Sequence, residues 1–197
     1  EKMTPEMIDA LAPMDTTAIA NGYLDAVSYL LGDKPLFIEK LPYNFLYIGF
    51  IVKAFPNAKI VRLKRNPMDS CFAIYKQPFT WAYKFSYNLD DLARYYLAHD
   101  KLFSYWRNLL GDQLIEVEYE TLVNDSENQT RTLLDRLGLD FEDACLNFEQ
   151  NETATTTASS VQVREKIHSR SVLRWKRYEE QLKPLRIRPE AAGISVE

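Results

Sequence analysis

Short apolar runs alternate along the chain with longer stretches in which apolar residues recur at helical spacing. Residues 58–63 contain an apolar run short enough for a buried strand, and Pro67 then opens a helical stretch that reaches Tyr75. Before them, residues 35–39 predict a strand and residues 45–55 predict a helix. The order strand, helix, strand, helix predicts a parallel α/β sheet.

Capping residues place the remaining helices, because Ser, Thr, Asp and Asn favour helix starts whereas Gly and Pro end helices. The alternation at 114–119 predicts a third strand. The aromatic run 79–87 is compatible with a loop that lines an acceptor site or with plain aromatic packing. The predicted helices are one that starts at Thr4-Pro5-Glu6, one from Asp15 to Leu31, a long amphipathic one from Asn88 or Asp90 to Leu110, one from a capping box of Ser126 and Gln129 to Leu137, and a last one at 172–182 that Pro184 ends.

Composition favours one folded domain. The chain has 197 residues, of which 46% are hydrophobic and 13% aromatic, and this excludes global disorder. No apolar run approaches the ~20 residues of a membrane helix, so we expect a soluble chain. Cys71 and Cys145 lack metal-ligand spacing and lie in apolar surroundings, which favours two buried free thiols. The start at Glu1, without an initiator Met or a signal-like segment, suggests a fragment of a longer protein.

Charge is distributed unevenly along the chain. The formal net charge is −4, yet residues 161–188 hold nine Lys or Arg and three Glu, a local charge of +6. A basic end on an acidic protein favours one localised anion site over a nucleic-acid face. Several of these charges also suit an ordinary solvated helix face.

Arg65 follows the strand predicted at 58–63 and precedes the helix that starts at Pro67. In open α/β folds, ligands bind at the carboxyl ends of strands, where a guanidinium offers a rigid fork of donors suited to phosphate. The alternative is a strand–turn–helix unit in which Arg65 makes a structural ion pair. Spacing alone leaves both interpretations open.

Five stretches stand out by their order and spacing: FIEKLPYNFLYIG, FPNAKIVRLKRNPMDSC, VEYETLV, LLDRLGLDFEDACLNF and TASSVQVREKIHSRSVLRWKRYE. In this order and at this spacing they resemble one known family, the sulfotransferases that use 3′-phosphoadenosine 5′-phosphosulfate, in the branch of the tyrosylprotein sulfotransferases and their bacterial relatives. The resemblance covers about residues 23–182.

The resemblance implies a P-loop-kinase-like α/β fold and sulfuryl transfer without a metal. Lys40 matches the family's lysine on the bridging oxygen of the donor, where a cation stabilises the charge that builds as the bond breaks. The alternative is that Lys40 only caps the sheet edge. Ser159 matches a second stabiliser of the transition state, and Ser160 is the reserve candidate if the alignment slips by one residue.

The resemblance also implies a nucleotide site. Arg65 matches the arginine that binds the 3′-phosphate, but Ala73 stands where the family has a serine, and Ser70 on the same helix is a candidate to compensate. A hydrogen bond to a charged group is worth roughly 1.5–3 kcal/mol, so this departure matters. The further residues that the resemblance assigns to the nucleotide are Tyr119, Arg164, Lys166 and Arg174, with 159–168 as the loop that closes over it.

Two parts of the family pattern are missing. The six glycines form no phosphate-binding loop of the family's type, and the glutamate base that follows this loop has no counterpart. We therefore expect that an N-terminal βα unit is absent and that 1–197 is the C-terminal portion of a single sulfotransferase-like domain. The family's disulfide cysteine beside the lysine is Glu39 here, so nothing favours a lumenal protein and we expect a cytoplasmic one.

The sequence thus predicts transfer of a sulfuryl group from 3′-phosphoadenosine 5′-phosphosulfate to a hydroxyl acceptor such as a peptide tyrosine, a sugar or a small molecule. We expect no metal, no nucleic-acid partner and no membrane partner. The alternative is an inactive homologue that binds a nucleotide or a protein. A nucleotide kinase ranks last, because neither a Walker-type loop nor an acidic Mg²⁺ ligand can be identified.

Overall fold

A computed structural model of the chain describes residues 4–32, 36–79, 82–150 and 165–196. The chain divides into two compact units, Glu1–Ile60 and Val61–Glu197, which are described separately below. Short 3₁₀ turns occur at Asn44–Leu46, Lys84–Tyr87 and Arg174–Tyr178, among others. The helices and strands are α1 (Pro5–Leu11), α2 (Thr16–Leu31), α3 (Ile48–Ala54), β1 (Ile60–Lys64), α4 (Pro67–Tyr75), α5 (Leu89–Leu110), β2 (Leu114–Glu118), α6 (Tyr119–Asn124), α7 (Ser126–Leu137) and α8 (Lys183–Ala191).

The first unit contains α1, α2 and α3, and local capping sets the starts of the first two. The Thr4 hydroxyl accepts a hydrogen bond from the first turn of α1, and the Asp15 carboxylate accepts one from the first turn of α2 at 2.9 Å. Both predicted starts are confirmed. Tyr23 of α2 packs edge-on against Phe55, with ring centroids 5.9 Å apart, which joins α2 to the end of α3.

The strand predicted at 35–39 is wrong for residues 36–39, which have no regular secondary structure. Leu36, Phe37 and Ile38 are exposed, and Ile38 is 95% exposed. A strand is stabilised by hydrogen bonds to a neighbouring strand, and in the described sheet β1 and β2 pair with each other. Lys40 therefore lies in an exposed irregular segment of the first unit.

The second unit contains a small parallel sheet of β1 and β2, joined by a crossover through α4 and α5. Parallel strands need such a crossover, because a tight turn can join only antiparallel neighbours. The predicted strand at 114–119 is confirmed as β2. The predicted α/β class is confirmed, and a P-loop-kinase-like sheet stays a prediction.

The burial of β1 differs from the prediction of a buried strand. Val61 and Leu63 are exposed, whereas Arg62 is buried. Successive side chains of a strand point to opposite faces, and it is the Arg62 face that packs on α5, with the guanidinium 4.1 Å from the centre of the Phe103 ring. The apolar run is thus a strand as predicted, but the strand is only partly buried.

The core of the second unit is formed by α4, α5 and the C-terminal segment. Helix α4 begins at the predicted Pro67 after an Asn66 cap, and α5 begins after the predicted Asn88 cap. These helices place their apolar faces against α8 and the residues before it. The buried core residues are Met68, Cys71, Phe72, Leu92, Ala93, Trp175, Leu182, Leu185 and Val196.

Two predicted helix ends are corrected. Helix α7 reaches Leu137 as predicted, but its cap residue is Asp125, so the capping box of Ser126 and Gln129 does not form. The last helix was predicted at 172–182, where the structure has turns and a 3₁₀ segment, and α8 starts only at Lys183. Pro184 lies in the first turn of α8, where a missing N–H costs nothing, and so it opens a helix instead of ending one.

The two cysteines differ in burial. Cys71 is a buried free thiol as predicted, and burial raises its pKa to about 12. Cys145 is also free, but it is exposed, because it ends a short 3₁₀ turn on the surface. The prediction that both thiols are buried is therefore wrong for Cys145.

The aromatic run after Pro78 packs largely on itself and on α5. The Phe85 ring stacks on Tyr95 with centroids 3.7 Å apart, and the Phe79 and Tyr83 rings lie 4.7 Å apart. These contacts favour the packing interpretation of the run. Across the described ranges, none of the helices is both long and apolar enough to span a membrane, and no group of three or more His, Cys, Asp or Glu is placed to hold a metal ion.

Candidate functional site

A pocket of about 940 Å³ lies in the second unit, where β1 and β2 both end. Arg65 follows β1 and Tyr119 follows β2, and both side chains line the pocket. The backbone N–H of Asn66 donates to the carboxylate of Glu120 at 2.8 Å, which ties the turn after β1 to the start of α6. The pocket thus occupies the sheet end where open α/β folds bind ligands.

Arg65 is held in place from two sides. Its Nη2 donates to the carbonyl oxygen of Ser171 at 2.5 Å, and its guanidinium lies 4.9 Å from the centre of the Tyr119 ring. Its Nε is buried and has no hydrogen-bond partner among the described residues. No described carboxylate forms an ion pair with Arg65, so the alternative interpretation as a structural ion pair has no partner in this part of the chain.

The segment 165–177 supplies most of the other cations of the pocket, from Lys166, Arg170, Arg174 and Arg177. Two of them are already matched by carboxylates: Arg170 pairs with Glu165, and Lys166 Nζ lies 4.0 Å from a Glu149 oxygen. Arg174 and Arg177 are exposed and, within the described ranges, form no ion pair. The pocket therefore carries more positive than negative charge.

Lys76, at the end of α4, reports this excess of charge. Its pKa is lowered first by burial and then by the positive charges of Arg174 and Arg65, with Asp69 opposing the shift. An anion that binds between neighbouring positive charges offsets their mutual repulsion. The electrostatics of this site therefore favour an anionic ligand.

The remaining lining is apolar or aromatic, apart from His168. The His168 Nδ1 atom is buried and finds no hydrogen-bond partner in the described ranges, while Nε2 lies 3.5 Å from a Glu165 oxygen. A ligand with one anionic part and one flat or apolar part fits such a lining. The apolar and aromatic lining residues are Leu63, Tyr119, Leu122, Val123, Phe148 and Ile167.

Comparison with known proteins identifies the family. Residues 1–143 match the model of the "Sulfotransferase family". The chain belongs to the sulfotransferase family. It is 34% identical, over 93% of its length, to an uncharacterised protein of Aquifex aeolicus (strain VF5). It is also 26% identical, over 75% of its length, to protein-tyrosine sulfotransferase 1 of Danio rerio. The chain spans only 25% of the length of the Aquifex protein and 40% of that of the zebrafish sulfotransferase.

The sulfotransferase match and the pocket overlap in part. Arg65 and Tyr119 lie within the matched residues 1–143, whereas the basic segment 165–177 lies beyond them. The Aquifex alignment extends over 93% of this chain. The two strand ends therefore lie within the family match, and the C-terminal segment completes the pocket.

Four of the residues that the sequence assigned to the nucleotide line this single pocket, namely Arg65, Tyr119, Lys166 and Arg174. Ser70 and Ala73 lie on α4 and are not among the described lining residues. Lys40 belongs to the first unit and is exposed. The other predicted site residues, Ser159, Ser160 and Arg164, lie outside the described residues.

No motif in the sequence marks Arg170, Arg177 or Phe148 as a lining residue. The local charge of +6 at 161–188 did indicate an anion site, but charge alone does not tell which cations face the pocket and which face solvent. Phe148 carries no such signal, because a lone aromatic residue in an acidic stretch is compatible with many environments. Only the three-dimensional structure shows that these three residues line the pocket.

Proposed function

We propose that this chain is the donor-binding part of a sulfotransferase that moves a sulfuryl group from 3′-phosphoadenosine 5′-phosphosulfate to a hydroxyl acceptor. The observation that carries the proposal is the excess of positive charge around Arg65, in a pocket at the ends of both strands of a sulfotransferase-family chain. In this proposal the pocket holds the adenosine 3′,5′-bisphosphate part of the donor.

The chemistry of Arg65 suits a phosphate. A guanidinium has five N–H donors in a planar fork, and the hydrogen bond to Ser171 uses one of them. The contact with Tyr119 and the hydrogen bond to Ser171 fix the plane of the fork, so little side-chain entropy remains to be lost when an anion binds. Arg174 and Lys166 add charge on the facing wall.

The size and lining of the pocket suit a nucleotide. Sites for ligands of this size usually enclose about 300–1,000 Å³ and combine apolar walls with a few polar groups. The pocket of about 940 Å³ lies at the upper end of that range, and Phe148 and Tyr119 offer aromatic surfaces for a flat base. We therefore assign the base to the aromatic side and the phosphates to the cationic side.

The catalytic roles are proposed from the family resemblance. Lys40 would stabilise the charge on the bridging oxygen, and its exposed position in an irregular segment leaves its ammonium accessible. Ser159 would donate a hydrogen bond to the same region, with Ser160 in reserve. The acceptor is a hydroxyl, and a tyrosine-containing peptide is the first to test because the zebrafish relative is named a protein-tyrosine sulfotransferase.

A second candidate function is a nucleotide-binding module without transferase activity. Ala73 favours it, because the family's serine at this position would add a hydroxyl donor to the 3′-phosphate. Lys40 favours the enzyme, because binding alone does not require a lysine that acts on the transition state. Nucleotide binding is common to both candidates, and only the role of Lys40 separates them.

Calorimetric titration of adenosine 3′,5′-bisphosphate and of adenosine 5′-monophosphate into the protein that contains this chain tests the nucleotide site. We expect the bisphosphate to bind at least about tenfold more tightly, because the 3′-phosphate adds charge-assisted hydrogen bonds. Arg174→Ala should weaken binding of the bisphosphate several-fold, whereas Lys101→Ala, which removes an exposed cation of α5 outside the pocket, should not. Equal binding of the two nucleotides, or no binding, would contradict the proposal.

Lys40→Ala tests the catalytic half in the protein that contains this chain. We expect transfer of radiolabelled sulfate to a tyrosine peptide to fall by roughly 100-fold, with donor affinity nearly unchanged, because the lysine acts only as charge develops. Lys59→Ala removes an exposed cation of the same unit and serves as the control. An equal loss of turnover and donor affinity would exclude the proposed role of Lys40.

A further inference from the structure

Asp69 is a buried carboxylate on α4 that the proposed function has not used. It is 1% exposed, and its Oδ1 accepts a hydrogen bond from the backbone N–H of Trp175 at 2.9 Å, across 106 residues of sequence. Trp175 is itself fully buried in the core. A carboxylate is rarely buried without a specific partner, because its burial costs free energy. The burial of Asp69 therefore calls for an explanation.

Helix capping does not explain the burial of Asp69. The cap of α4 is Asn66, whose side chain accepts from the backbone N–H groups of Met68 and Asp69 at 3.0 and 3.1 Å. A carboxylate in the first turn of a helix is favoured by the helix dipole, but that benefit is also available to an exposed side chain. The Asp69 side chain points instead to the segment that forms the facing wall of the pocket.

The segment that Asp69 contacts has an uncommon backbone conformation. Leu173 has a φ of 52°, in the left-handed region that residues other than glycine rarely adopt. Such a conformation persists only when the surrounding structure fixes it. Here Arg65 donates to the Ser171 carbonyl on one side, and Asp69 accepts from Trp175 on the other.

Arg174 lies between these two attachment points and lines the pocket. We propose that Asp69 is a positioning residue of the nucleotide site: its hydrogen bond to Trp175 fixes the backbone that carries Arg174 and so sets where this cation meets the ligand. The inference rests on the proposed function for the identity of the ligand. Through this hydrogen bond, α4 holds the backbone next to Arg174 in place.

The test compares Asp69→Ala with Asp69→Asn in the protein that contains this chain. Hydrogen exchange followed by mass spectrometry measures protection of the backbone at 172–177, and titration with adenosine 3′,5′-bisphosphate measures affinity. We expect faster exchange in this segment and about tenfold weaker binding for Asp69→Ala. Asp69→Asn keeps an oxygen acceptor for Trp175 and should stay within about threefold of the wild-type affinity.

Asn88→Ala is the matched control, because it removes the cap of α5, outside the pocket, and so lowers stability without touching the segment. We expect it to leave both the exchange at 172–177 and the affinity unchanged. A double mutant, Asp69→Ala with Arg174→Ala, should bind only as weakly as the weaker single mutant, since both remove the same contact. A purely structural role would give additive effects.

The outcomes separate this inference from the proposed function. Wild-type binding together with unchanged exchange and affinity in Asp69→Ala would overturn the inference alone. Absence of wild-type binding would overturn both the proposed function and the ligand-positioning role. If Asp69→Ala does not fold, Asp69→Asn decides the question, because a tenfold loss of affinity in it would show that the charge matters and not the hydrogen bond to Trp175.

Discussion

Arg62 and Arg65 lie three residues apart and have opposite surroundings. Arg62 has a side chain only 5% exposed, and its guanidinium pairs with Glu116 at 2.8 Å and with Asp100 at 3.3 Å. A hydrogen bond from Arg107 is the main cause that holds the pKa of Glu116 below its usual range. Burial opposes this shift, and the hydrogen bond from Arg62 lowers the pKa further. The charge of Arg62 is therefore fully compensated within the protein.

Arg65 is half-buried, and its described partners are a carbonyl oxygen and an aromatic ring. Burial is the main cause of the lowered pKa of Lys76, and the positive charges of Arg174 and Arg65 lower it further. The comparison shows that compensation, and not burial alone, separates an arginine that holds a fold together from one that is available to an anion.

The largest expected effect is the loss of stability in Arg62→Ala. Removing the guanidinium takes a buried partner from Asp100 and leaves Glu116 paired with Arg107 alone, and breaking a buried pair from one side costs about 3–5 kcal/mol. Because both carboxylates are partly exposed, we expect a loss near the lower end, roughly 3 kcal/mol. Urea denaturation followed by circular dichroism measures it, and the nucleotide affinity of the folded protein should not change.

Lys64→Ala provides the control for this loss. Lys64 pairs with Glu118 at 2.8 Å, but both side chains are exposed, and such surface pairs contribute only about 0–1 kcal/mol. Equal destabilisation by Lys64→Ala and Arg62→Ala would mean that burial of the Arg62 pairs contributes nothing. That result would contradict the claim that Arg62 holds the fold together.

The next effect concerns the pH dependence of stability on the Arg62 side of the sheet. Burial, assisted by the charge of Arg62, lowers the pKa of His99 to about 4 from its ordinary value of 6.5. Because the unfolded chain then binds the proton more readily, the contribution of His99 is present above pH 6.5 and is lost as the pH falls towards 4. We expect it to account for about 2 kcal/mol of the stability lost between pH 7 and pH 5.

His99→Gln isolates this contribution, because a neutral amide does not titrate between pH 4 and pH 7. Urea denaturation at pH 7 and pH 5 should show a fall in the free energy of unfolding that is about 2 kcal/mol smaller for His99→Gln than for the wild type. Parallel pH profiles for the two proteins would show that the environment of His99 does not disfavour its charged form.

Much of the fold could be predicted because its signals are local. The caps at Asp15 and Asn88 and the end of α7 at Gly138 depend on side chains within a few residues of the helix end. The failures have longer-range causes. Whether Val61 or Arg62 faces α5 depends on which element covers β1, and no periodicity in five residues reveals this. A proline at position 184 is compatible with the end of one helix or with the start of the next, and the packing of α8 decides between the two.

The site could be predicted less completely than the fold. Arg65 and Tyr119 follow strands, so their position at one sheet end follows from topology. The facing wall comes from residues about 100 positions further on, where Arg65 meets Ser171 and Asp69 meets Trp175. Contacts of this sequence separation have no local signature. The local excess of basic residues indicated an anion site but not which cations form it.

The measurement that tests the central claim most directly is the affinity for adenosine 3′,5′-bisphosphate of Arg65→Gln beside Lys64→Gln. Both variants lose one positive charge at neighbouring positions, but only Arg65 lines the pocket. We predict that Arg65→Gln binds roughly 10- to 100-fold more weakly by calorimetry, while Lys64→Gln stays close to the wild type. Equal affinities of the two variants would show that net charge and not the Arg65 fork attracts the nucleotide, and would contradict the account.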